Sequence, residues 1–83
     1  DTIDREMTDR VTQLLEQGRA DGRISPGTDV RATAIVILST LEGIFWRRGF
    51  DRTFDTAGTL VELRRMLTAY LQPAKHPPRR PTP

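Results

Sequence analysis

Residues 28–48 read TDVRATAIVILSTLEGIFWRR, and the organisation of the whole chain follows from this stretch. Thr28 or Asp29 can cap the free N–H groups of the turn that follows, so a helix is predicted from there to about Arg48. Ile35, Ile37, Leu38, Leu41, Ile44, Phe45 and Trp46 surround most of its circumference. A helix lying on one core shows a single apolar stripe, so this one needs cover on several sides and is the central helix. A narrower strip of Ala32, Val36, Ser39, Thr40 and Gly43 carries small side chains, which let a neighbouring helix axis come closer than the usual ~8–10 Å.

Upstream, apolar residues fall at Ile3, Met7, Val11, Leu14 and Leu15 with Gly18 in line, within an arc of roughly 120°. Arg5, Glu6, Asp9, Glu16 and Arg19 lie mostly opposite, as a solvated face. This first amphipathic helix is expected to stop near Asp21. Gly22 is placed to take a left-handed conformation, Ile24 to be the apolar residue after it, and Ser25-Pro26-Gly27 prevents continuation. Downstream, Gly49 to Thr53 reads as a short connection, and Asp55 or Thr53 caps a third helix reaching about Leu71. Leu60, Leu63, Leu67, Tyr70 and Leu71 share an arc of ~100°, with Ala57 and Met66 at its edges. No segment alternates with period two, and no repeat is visible. The fold class is all-α, a three-helix segment over residues 1–72. Residues 73–83 hold five of the six prolines and little apolar surface, and read as a disordered tail.

Composition sets limits on function. The 83 residues include no cysteine, and His76 is the only histidine, so disulfides, thiolate metal sites and clustered metal ligands are excluded; no metal, cofactor or catalytic residue is expected. Ten of the 13 basic residues and all 11 acidic ones precede Gln72, which leaves the body at a formal charge of −1 and puts Lys75, Arg79 and Arg80 in the tail. A nearly neutral body has no basic footprint for gripping a phosphate backbone. The longest apolar run, Ala34 to Leu38, is far short of the ~18 residues that span a bilayer, and no signal peptide opens the chain, so a cytoplasmic, non-membrane protein is expected. The first residue is Asp1 rather than Met, already in helical pattern, which reads as a piece of a longer protein.

The order of these features resembles the C-terminal part of tetracycline-repressor (TetR) family transcription regulators, over most of 11–71. The likeness is carried by Leu14-Leu15-Glu16-Gln17-Gly18 running into Ala20-Asp21-Gly22-Arg23-Ile24, then Pro26, Asp29, Ala32 and Ala34 before Leu41-Glu42-Gly43, with Phe54-Asp55 and Leu67-Thr68-Ala69-Tyr70-Leu71 closing it. The resemblance implies a homodimer in which the last two helices of each subunit form a four-helix bundle, beside a pocket for a small effector. It also implies an N-terminal helix-turn-helix that contacts DNA. This sequence holds no counterpart of that motif or of the first part of the effector domain.

Dimerisation is also expected on physical grounds. A central helix apolar nearly all round, flanked by two amphipathic helices, leaves apolar surface uncovered in a monomer. Ile37, Leu41, Gly43, Phe45, Leu60, Leu63 and Leu67 are the expected dimer-interface residues. Glu42 projects from a largely apolar face with Ile35, Ser39 and Trp46, and these four are the candidate ligand-binding residues: a carboxylate to hold a polar group and an indole to stack. Their alternative is a surface Glu paired with an arginine and a Trp filling the dimer core. Arg47 and Arg48 complement the dipole at a helix C-terminus, and Arg64 and Arg65 read as solvated surface. Two other functions fit an all-α dimer. One is a dimerisation module without a ligand. The other is an enzyme of chorismate-mutase type, for which Arg5, Arg10 and Arg19 supply cations but the second helix offers mainly Glu42. The chain is read as non-enzymatic.

Overall fold

A computed structural model describes residues 2–73 of the chain. The expected disordered tail therefore lies outside the described residues from 74 onward, together with Lys75, His76, Arg79 and Arg80. Among the described residues the protein is all-α: α1 (Thr2–Ala20), α2 (Val30–Phe50) and α3 (Thr56–Leu71), with no strand. Both α1 and α3 flank α2 and run antiparallel to it, which makes α2 the central helix.

The chain's local chemistry explains where each helix starts and stops. After α1, Gly22 adopts φ 79°, the Gly22 N–H donates to Arg19 O and the Arg23 N–H to Gly18 O, so the last carbonyls of the helix are satisfied as the chain turns away. Ile24 then folds back over Gly18, where any Cβ would meet its Cδ1 at 2.7 Å. The carboxylate of Asp29 caps α2 by accepting from the Ala32 N–H at 3.1 Å, and Asp55 caps α3 by accepting from the Gly58 N–H at 2.9 Å.

Two readings of the sequence need correction. Gly49 and Phe50 are helical rather than part of the connection, and α2 ends at Phe50 with the Asp51 N–H donating to Arg47 O at 2.9 Å. Continuing the helix places Phe50 one turn after Trp46, where the rings meet edge to face at 5.1 Å, a contact that offsets the ~1 kcal/mol cost of a helical glycine. The buried stripe of α1 is also rotated from the apolar arc: Thr8, Thr12, Leu15 and Gly18 are buried, while Ile3, Met7 and Leu14 are exposed. Each threonine hydroxyl donates to a carbonyl one turn back, Thr8 to Asp4 O and Thr12 to Thr8 O, so no polar group is left unpaired and the methyl groups pack like valine.

The core sits where the end of α1, the start of α2 and the end of α3 meet. Leu15, Val30 and Ala34 form its centre, with Val11, Ile24, Ile37 and Leu71 packed around them. The intervening loop is tied down by the Ser25 N–H donating to Leu71 O at 2.8 Å and by Arg19 Nη1 donating to the carbonyl of buried Thr28 at 2.9 Å. No residue of α3 is buried, and eleven large apolar side chains among the described residues are exposed.

Candidate functional site: two grooves along the central helix

Because α2 has one neighbour on each side and none in front, its free surface divides into two grooves. Between α2 and α3 lies a hollow of 570 Å³. Its α2 wall is Ala32, Thr33, Val36, Thr40 and Ile44, and its α3 wall is Thr59, Leu63, Met66, Leu67 and Tyr70, each set spaced by one helical turn. The two carboxylates on it, Asp29 and Glu62, are otherwise occupied: Asp29 caps α2, and Glu62 accepts from Arg65 at 3.4 Å. Val36, Met66 and Tyr70 are 61%, 63% and 65% exposed, so the groove is apolar and open along its length.

On the other side, the N-terminal half of α1 and α2 from Arg31 to Trp46 enclose two adjoining hollows. One, of 390 Å³, is polar and is lined by Arg5, Thr8, Arg31, Ile35 and Ser39. Its neighbour, of 580 Å³, is lined by Ile3, Met7, Leu41, Phe45 and Trp46. Asp4, Leu38 and Glu42 line both. The structure thus brings Ile35, Ser39 and Glu42 together in the polar hollow and Glu42 and Trp46 in the apolar one. Glu42 has no arginine partner among the described residues, and Trp46 is 70% exposed with its only ring contact to Phe50.

The seven expected dimer residues are divided among different places. Leu63 and Leu67 line the α2–α3 groove, with Leu60 half-buried nearby in sequence. Leu41 and Phe45 instead face the α1 side, and Ile37 is taken up by the chain's own core. Gly43 is exposed, with open space where its Cβ would stand. The sequence reading missed the α1 wall, Asp4 and Met7 above all, because their apolar or charged character marks them only as ordinary helix-surface residues; the signal is the antiparallel alignment of α1 with α2. Arg47 and Arg48 do occupy the last turn of α2. No group of His, Cys, Asp and Glu able to hold a metal occurs among the described residues, and no described helix is long and apolar enough to cross a membrane.

Compared with known proteins, the chain matches no protein-family model, no curated protein and no solved structure.

Proposed function

We propose that this chain is the C-terminal dimerisation and effector-binding part of a TetR-like transcription regulator, itself without the DNA-reading element. The observation that carries the reading is the α2–α3 groove, with small α2 residues facing an apolar α3 wall and Val36, Met66 and Tyr70 largely exposed along it. Two such helix pairs related by a twofold axis make a four-helix bundle, an arrangement in which each copy buries the same patch. Ala32, Val36 and Thr40 supply the close-approach strip, and Met66 and Tyr70 of one copy lie over the strip of the other. Gly43, one turn beyond Ser39 and Thr40, extends the strip, and its open surroundings leave room for a helix from the second copy.

The α1–α2 groove on the opposite side is the effector-binding wall. It combines apolar surface with a few polar groups, the usual make-up of a small-molecule site. Separating the two surfaces on opposite sides of one helix lets an effector and a second subunit bind together, so that a shift of α2 on one side is felt on the other.

Sedimentation equilibrium at micromolar concentration tests the dimer: twice the monomer mass is expected. A monomer that unfolds sharply would overturn the reading. Gly43→Leu is expected to weaken association, since forcing the helices apart costs ~1–3 kcal/mol.

A further inference from the structure

The α1–α2 groove has a charge pattern that selects among ligands. In its apolar hollow the polar lining residues are Asp4 and Glu42, and no basic residue lines that hollow. Among the described residues neither carboxylate has an ion-pair partner. The basic residues of the groove, Arg5 and Arg31, line the polar hollow that Asp4 and Glu42 also border, and Arg31 is held by Asp9 at 3.2 Å. Beside the two carboxylates stands the most exposed π-surface in the groove, the indole of Trp46, with Phe50 set edge-on behind it at an interplanar angle of 64°. That contact leaves the indole largely exposed.

Two carboxylates with no ion-pair partner among the described residues, next to an exposed indole, are complementary to a cation. An ammonium or pyridinium centre gains Coulombic attraction from the carboxylates and cation–π attraction from the ring, and a flat apolar body gains contact with Met7, Leu41 and Phe45. Resting on the effector-binding reading above, we propose that this groove takes an organic cation with a flat apolar body, its charge beside Asp4 and Glu42 and its ring against Trp46. The polar hollow sets the same two carboxylates beside Arg5 and Arg31, so its charges balance and it favours neither sign.

The test uses the full chain and three probes of one ring size: the cation N-methylquinolinium, neutral quinoline at pH 7.5 and the anion 1-naphthoate. The chain has a single tryptophan, so one indole N–H resonance in a ¹H–¹⁵N spectrum reports on Trp46 directly. N-methylquinolinium is expected to shift that resonance saturably, with affinity about tenfold above that of quinoline and above that of 1-naphthoate by more. Asp4→Asn and Glu42→Gln each narrow the gap between cation and neutral probe, and the double variant closes it. Both residues are exposed, so the variants keep their helical circular dichroism. The proposal is overturned if N-methylquinolinium leaves the indole resonance in place, if it binds no more tightly than quinoline, if 1-naphthoate is preferred, or if the preference survives in the double variant. Sedimentation of the same samples separates this result from the dimer reading. A dimer without cation preference removes the ligand inference alone, and a monomer that still prefers the cation removes only the self-association.

Discussion

The two ends of α2 are built differently. At its start, Val30, Thr33 and Ala34 are buried, Asp29 caps the helix, and the preceding loop is tied to both neighbours through Arg19 and Leu71. At its far end Ile44 is buried, but Phe45, Trp46 and Phe50 are exposed along the open walls of the grooves. Apolar content does not separate the ends, since the far end carries the larger side chains. What separates them is how closely the second and third helices pack there. One end is therefore the folding anchor of the chain, and the other is the end whose apolar surface is available for binding.

If that division is right, equal truncations at the two ends have unequal effects. Leu15→Ala empties the centre of the anchored end and is expected to cost about 2–4 kcal/mol in urea unfolding, enough to remove most of the cooperativity of so small a core. Phe45→Ala removes a larger side chain from the open end and is expected to cost about 1 kcal/mol or less, because half of that ring is already in water. Equal losses would erase the distinction. A smaller effect at the anchored end comes from Gly22→Ala, which puts a Cβ into the left-handed conformation at φ 79° and should cost about 1 kcal/mol, read as a lowered thermal midpoint. An unchanged midpoint would mean that the turn after α1 is not held in that geometry.

The smallest expected effect is at the open end and depends on pH. The Thr53 hydroxyl and the Thr53 N–H both donate to Asp51 Oδ1, at 2.6 and 2.9 Å, and hold that carboxyl below its ordinary value of 3.8. A carboxylate depressed in the folded state stabilises it above the unfolded value, and this contribution is lost as pH falls through the depressed one. Asp51→Asn should therefore melt slightly below the wild type at pH 7, with the gap shrinking as the solution is acidified below about pH 4 and closing at the acid extreme. A gap that widens in acid would contradict the assignment.

Much of the fold is legible in the sequence because the caps and breakers are local. Asp29, Asp55, Gly22 and Ser25-Pro26-Gly27 act within one turn of their own backbone, and the helices start where those residues place them. Where the sequence misleads, a side-chain contact one turn along the same helix decides. Gly49 reads as a break until Phe50 is seen against Trp46. Thr8 and Thr12 read as polar until their hydroxyls are seen bonded one turn back. The grooves are harder still. Helical periodicity shows that Glu42 and Trp46 lie on one side of α2, but Asp4 joins them only through the packing of α1, and nothing in the periodicity tells whether Ile37 and Phe45 face a second copy or the chain's own first helix. The side chains shared out among the core and the two grooves are mostly apolar, and apolarity alone does not name the neighbour.

The central claim is that the α2–α3 face, and not the α1–α2 face, joins two copies of this chain. It is tested most directly by sedimentation equilibrium on Val36→Glu and Phe45→Glu, measured beside the wild type. Both residues are at least half exposed in the single chain, so a carboxylate at either leaves folding nearly intact, and circular dichroism checks this. A charge buried without a partner in an interface is strongly unfavourable. The wild type and Phe45→Glu are expected to sediment as dimers and Val36→Glu as a helical monomer; a Val36→Glu dimer, or a dimer lost in Phe45→Glu but kept in Val36→Glu, would contradict the account.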